Sequence, residues 1–189
     1  MKLNSNKTVN TLNYSVLTSI RPGLNRDPNT PFVLDELKWV SNSATLIYGK
    51  EEIVLVDTFL TIEHNETLID SIVSTGKSLK YIYITHPHGD HFFGLQLLLE
   101  RFPKAVAIAT PAVAKGCATH IQPHWIKDFW EPRYPGQIAE KFIVPKALEH
   151  NEIELEGERM LAIDTGFTDT GDSTVLYVPS IGLIVGGDV

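Results

Sequence analysis

A chain of 189 residues, 43% of them hydrophobic, is long enough for one sizeable core and lacks the bias of a disordered, collagen-like or coiled-coil sequence. Its formal net charge of −7 argues against a nucleic-acid partner, because affinity for phosphate backbones comes mainly from clustered Lys and Arg. Cys117 is the only cysteine, which excludes an internal disulfide and a thiolate-rich zinc module and suits a reducing, cytoplasmic setting.

The first ten residues are polar and lack the apolar stretch of a secretory signal, and no later run reaches membrane-spanning length, so no membrane partner is expected. A first strand is expected over residues 14–20, then an exposed loop over 21–31, rich in Pro, Asn, Gly and Asp. Residues 44–48 and 53–56 are β-rich runs separated by Gly49-Lys50-Glu51-Glu52, which predicts a hairpin. Residues 61–74 place Ile62, Leu68, Ile69, Ile72 and Val73 at near-helical spacing, with Gly76 as a stop signal. A compact strand follows over 81–84, then a loop, then a helix over 92–102 ended by Pro103. Residues 105–109 read as a buried strand, and Pro111 opens the next helix.

Residues 122–137 hold Trp125, Phe129, Trp130 and Tyr134 among prolines and predict an irregular aromatic segment or a short helix with a loop. Strands return at 152–155, 160–163, 174–178 and 183–185. This order predicts an α/β fold in a single domain over residues 1–189. The last nine residues read as a strand and a Gly turn with no element after them, so the domain is expected to be cut short.

The chemistry concentrates in His86-Pro87-His88-Gly89-Asp90-His91, directly after the strand at 81–84. Four potential ligands in six residues converge only if the backbone turns tightly, for which Pro87 and Gly89 are suited. His86 and His88 alternate and can reach one ion, while Asp90 and His91 face a neighbouring position. Imidazole suits zinc, iron and nickel, and a mixed set of His and carboxylate suits catalytic rather than structural zinc. A polar surface loop with three unrelated histidines is the plainer alternative, but the ligand density and the strand-loop-helix setting argue against it.

Thr85 to His91 resembles the metal motif of the metallo-β-lactamase superfamily, and Val54-Leu55-Val56-Asp57-Thr58 is similar to that family's first motif, whose aspartate hydrogen-bonds to the metal loop. The resemblance resumes at residues 166–173 and at Gly186-Gly187-Asp188. It implies a four-layer αββα sandwich, here with an incomplete C-terminal half. It also implies two zinc ions, with iron as the alternative, held by His86, His88, Asp90, His91 and Asp188, with Asp90 also taking part in catalysis and Asp57 supporting the ligands from behind.

The family's third histidine is replaced by Phe167, which has no lone pair to offer. Asp164, Asp169 and Asp172 lie nearby and could substitute for the lost ligand, but an Asp in a Gly-rich turn ordinarily serves local backbone donors, and that is the simpler expectation for all three. Weak metal binding and low turnover are therefore expected.

His120 and His124 flank Pro123 and could line a substrate entrance or replace a ligand; surface histidines are the simpler expectation. Trp125, Phe129 and Trp130 suit either an apolar substrate wall or core packing. His64 and His150, among polar neighbours, read as solvated, and Cys117 as a packed small side chain. The leading function is a hydrolase using metal-activated water on a small-molecule ester, lactone, thioester or amide. The alternatives are an iron-dependent oxidoreductase resembling persulfide dioxygenases and a non-catalytic relative. His88 argues against the flavodiiron pattern, which has Glu there, and the acidity argues against a nuclease. Uncovered strand edges would promote self-association.

Overall fold

The computed structural model describes residues 12–19 and 41–189. The polar N-terminus, the loop expected over 21–31 and the end of the first expected strand at Ile20 lie outside the described residues. Among the described residues, ten strands form two sheets. The first has the order β1 (Asn13–Ser19), β2 (Asn42–Tyr48), β3 (Glu52–Val56), β4 (Ser78–Tyr83), β5 (Val106–Ala109) and β6 (Lys146–Ala147). Its first three strands are antiparallel, and β3 through β6 run parallel. The second sheet is antiparallel, built from β7 (Glu152–Leu155), β8 (Glu158–Gly166), β9 (Ser173–Val178) and β10 (Leu183–Val185).

Period-2 alternation divides the apolar residues of the first sheet between two cores. Ala44, Leu46, Ile53, Leu55, Ile82 and Ala109 face the helices, packing with Leu68 and Ile72 of α1 (Ile62–Ser74), Leu95 and Leu98 of α3 (Leu95–Arg101), and Val113 and Cys117 of α4 (Pro111–His120). Ile47, Val54, Val56, Tyr83 and Ile108 face the second sheet and meet Ile153, Leu155, Met160, Ala162, Leu176 and Val178. These are the first three layers, α, β and β, of the expected sandwich. On the outer face of the second sheet, Ile163 and Ile184 are 41% and 61% exposed, and Arg159 pairs with Glu152 on the same face.

The hairpin of β2 and β3 and the helix α1 form as the sequence predicts, with Thr61 accepting from the His64 amide at the helix start. Pro111 stands at the first position of α4, behind a Thr110 cap. The aromatic segment resolves into helical turns at Pro123–Trp125, Ile126–Trp130 and Glu131–Arg133, the middle one π-helical.

The helix expected over 92–102 is instead two, α2 (Gly89–Phe92) and α3. Hydrogen bonding explains the break: the Asp90 carbonyl accepts from Asn42 Nδ2 at 2.5 Å, and the Gly94 amide donates to Thr58 Oγ1 at 3.2 Å, so the bond that would join them in a continuous helix is replaced. A side chain at Gly94 would also collide with the buried Asn65 amide.

Candidate metal centre

The histidines gather at the carboxyl ends of the parallel strands, where ligand sites of α/β sheets commonly lie. Asp57 follows β3, Thr85 and His86 follow β4, and His91 lies in α2, whose start carries the rest of the motif. Asp57 sits at φ 61°, a left-handed conformation that Asp tolerates better than most residues. Its amide still donates to the Tyr83 carbonyl at 2.8 Å, which extends the pairing of β3 with β4 beyond the strand ends.

Asp57 is buried, and its carboxylate is fully engaged. Oδ1 accepts from the Thr85 amide at 2.8 Å, and Oδ2 from the Thr85 hydroxyl at 2.7 Å and from Nδ1 of His91 at 3.0 Å. Because the Thr85 proton goes to Asp57, Thr85 Oγ1 accepts from Nδ1 of His86, 2.9 Å away. Both imidazoles thus spend Nδ1 on the protein and leave Nε2 facing the site. With its oxygens so occupied, Asp57 is suited to orienting ligands rather than to being one, although it lies close enough to His86 and His91 to form a three-residue group with them. The Thr174 hydroxyl of β9 and the Thr174 amide both donate to the Thr85 carbonyl, at 2.7 and 2.9 Å, so the same hydroxyl oxygen accepts from the Tyr83 hydroxyl at 2.7 Å. The second sheet thereby holds the motif's first residue.

Among the described residues, Nε2 of His86 and Nε2 of His91 are buried without a hydrogen-bond partner, which is costly unless an ion fills the place. Asp188 lies across both, Oδ1 at 3.3 Å from His91 Nε2, within ion-pair reach, and Oδ2 at 4.0 Å from His86 Nε2. Asp90 Oδ2 is 3.9 Å from His91 Nε2. Burial, and then the neighbouring His91, lowers His86 to about 4, so its Nε2 is a bare lone pair at neutral pH. Burial opposes charge on His91 too, but Asp57 and Asp188 outweigh it and raise this group to about 10. The Asp188 carboxyl is held low, chiefly by its contact with His91. A surplus of carboxylate around two inward-facing imidazoles is an arrangement a divalent cation would neutralise, and these residues fit the metal that the motif implies.

All six residues predicted for the site, Asp57, His86, His88, Asp90, His91 and Asp188, therefore come together. Phe167 does not join them, being 84% exposed. Asp164 serves the Gly166 amide at 2.8 Å, the local role expected of it. Asp169 departs from that expectation: its Oδ2 lies 2.6 Å from Nδ1 of His88 and 3.5 Å from Nε2 of His86. The loop of residues 167–172 brings it there, entered through Gly166 at φ 69° after an irregularity in the pairing of β8 with β9.

His88, Asp90, His120, Trp125, Phe129, Trp130, Asp169 and Asp188 line a cavity of about 270 Å3. A larger open depression, about 410 Å3, lies over Gly157, Leu161 and Pro179 of the second sheet and its turns, but contains no histidine. His120 is half-buried, stacked on Trp125 at 5.4 Å and 10°, and 5.5 Å from the His88 ring, so the surface role expected of it is corrected; His124 is exposed as expected. Trp125 and Phe129 form the cavity wall, while Trp130 also packs into the helix-side core. His64, read as solvated, is half-buried and pairs through Nδ1 with Ser19 Oγ at 2.8 Å. Cys117 is a packed core residue whose thiol burial pushes up. Thr85 and Thr174 were given no role by sequence reasoning; the position of Thr85 between a strand and the first histidine was the available signal.

The family model of the metallo-beta-lactamase superfamily matches residues 37–189, and the chain belongs to that family. A metallo-beta-lactamase from Pontibacter korlensis is similar over 92% of this chain and 71% of its own, with a TM-score of 0.61 and 18% identity. The metallo-beta-lactamase SMB-1, solved with mercaptoacetic acid, is similar over 71% of this chain at a TM-score of 0.53 and 22% identity; the match spans about half, 51%, of the SMB-1 chain. At these identities the likeness is one of fold. The uncharacterized protein YobT of Bacillus subtilis (strain 168) is 35% identical over 60 residues, 32% of this chain and 25% of YobT. No helix among the described residues is long and apolar enough to cross a membrane.

Proposed function

We propose that this chain carries the metal centre of a hydrolase that directs water at the carbonyl of a small, uncharged ester, thioester, lactone or amide. The observation that carries the reading is the pair of buried Nε2 atoms on His86 and His91, neither in a hydrogen bond and both facing the Asp188 carboxylate, with Nδ1 of each held through Asp57 and Thr85. A divalent ion such as zinc, if bound there, would supply Lewis acidity to water and to the carbonyl near neutral pH. His86 and His88 would hold one side of such a centre, and Asp90, His91 and Asp188 the other. Asp90, which lines the cavity, would orient the attacking water and take up its proton.

Substrate class follows from the walls. Among the described residues lining the cavity there is no Lys or Arg to pair with an anionic group, and Trp125, Phe129 and Trp130 supply apolar area. An acyl group without a carboxylate or phosphate suits them best. The test is hydrolysis of matched neutral and carboxylate-bearing p-nitrophenyl esters, thioesters and lactones by the zinc-loaded chain. Zinc-dependent turnover of neutral substrates, lost in His86→Ala, is expected. Absence of turnover despite bound zinc would favour a non-catalytic relative.

A second reading, iron-dependent oxidation of a persulfide, is supported by one observation. His86, His88 and Asp169 offer two imidazoles and a carboxylate, a set that suits iron(II) as well as zinc. Oxygen uptake by the iron-loaded chain with a persulfide, without hydrolysis of any ester, would select it.

A further inference from the structure

Phe167 leaves the position served by His86 and His88 one ligand short, and the structure brings another group to it. Nε2 of His86, Nδ1 of His88 and a carboxylate oxygen of Asp169 all lie within 4.8 Å of one another. Asp169 Oδ2 is nearer to both nitrogens than Asp188 is to His86. The loop does not need Asp169 for itself: the Thr168 amide donates to the Thr170 carbonyl at 3.2 Å and the Thr170 amide to Ser173 Oγ at 3.1 Å, and neither bond uses the Asp169 carboxylate. Phe167, two residues earlier, turns its ring to solvent.

We infer that Asp169 is the third protein ligand at this position, so that this chain holds the ion with two histidines and a carboxylate. The inference rests on the metal-centre reading above and adds a ligand to it. A carboxylate supplies what phenylalanine cannot, a lone pair at coordinating reach. It also differs from a third imidazole in carrying a negative charge and a harder oxygen donor. The position is therefore complete, and its preference shifts towards harder divalent ions such as manganese and iron(II) relative to three imidazoles.

The alternative is that Asp169 forms only an ion pair with His88, since the two side chains are 36% and 35% exposed. Zinc binding measured by chelator competition, together with the visible absorption of the cobalt-loaded protein, separates the two. Four proteins are compared: the parent, Asp169→Asn, Phe167→His and the double variant Phe167→His/Asp169→Asn.

The inference predicts that Asp169→Asn weakens one of the bound ions by at least about tenfold and changes the cobalt spectrum. Phe167→His alone should change zinc affinity little, and the double variant should recover binding. If Asp169→Asn binds zinc and cobalt as the parent does, while His86→Ala loses metal, Asp169 is only an ion-pair partner and the metal-centre reading stands. A large gain in zinc on Phe167→His alone would overturn the inference in another way, by showing the position incomplete in the parent. No zinc in any of the four, with the fold intact by circular dichroism, would overturn both.

Discussion

Asp57 accepts a hydrogen bond from Nδ1 of His91 at 3.0 Å while the same carboxylate oxygen takes the Thr85 hydroxyl proton, and through Thr85 it also sets the orientation of His86. One buried side chain thus directs two imidazoles. Asp57→Asn removes the charge, and its amide cannot accept from Thr85 and His91 together as the carboxylate does. Zinc affinity should fall by about 10 to 100-fold, measured by chelator competition, with secondary structure retained by circular dichroism.

Gly187 is required beside this carboxylate. It has φ 59°, and a side chain there would collide with Thr85 Oγ1 and lie 3.4 Å from Asp57 Oδ2. Gly187→Ala would push the last turn outward and take Asp188 with it. The expected outcome is weaker zinc binding with little change in thermal midpoint. Unaltered binding would mean that Asp188 is not held by this contact.

Asn65 is a structural brace that no motif announces. Its Oδ1 accepts from the Phe59 amide at 3.0 Å, and Nδ2 donates to the Phe59 and Thr61 carbonyls, both at 2.8 Å. Asn65→Ala leaves buried backbone groups without partners and should cost about 2 to 3 kcal/mol in urea unfolding. Asn65→Asp, which keeps the acceptor and loses the donors, should also be destabilising.

Glu156 ties the two sheets together. Its carboxylate accepts from the amides of Lys50, Glu51 and Glu52 at 2.7 to 2.8 Å, capping the hairpin of β2 and β3 from the turn between β7 and β8. Desolvation raises this carboxyl, but the three amide bonds outweigh it, and the group is held below the ordinary glutamate range. A carboxyl lowered on folding contributes stability that is present above its unfolded value, about 4.3, and is lost as pH falls through the lower folded value. Glu156→Gln should lower the urea midpoint at pH 7, and the gap to the parent should narrow at pH 3. A gap that stays constant would contradict the assignment.

Trp125 tests the cavity. Trp125→Ala should raise KM for neutral aryl esters while leaving kcat within a few fold, because an apolar wall binds ground and transition states alike. A selective loss of kcat would instead place Trp125, or His120 stacked on it, against the reacting atoms.

Much of this was legible in the sequence because local rules carried it. Period-2 runs marked the strands, Thr61 and Pro111 marked helix starts, and His86 to His91 concentrated ligand types in one turn. What escaped depends on contacts distant in sequence. Asn42 and Thr58 divert the bonds that would have joined α2 to α3, and neither is near Gly94 in the chain. Three turn aspartates were open as replacements for the missing ligand, and only the path of the loop after β8 distinguishes Asp169, beside His88, from Asp164, which serves the Gly166 amide. His120 looked solvated until the stack on Trp125 placed it at the cavity.

The most direct test of the central claim is elemental analysis of zinc and iron after metal-free purification, reloading and removal of excess, on the parent and on His86→Ala/His91→Ala. Stoichiometric metal is expected in the parent and background in the double variant, with the fold retained in both by circular dichroism. Background metal in the parent as well would contradict the claim, and the two buried Nε2 atoms would then have to be explained by something other than an ion.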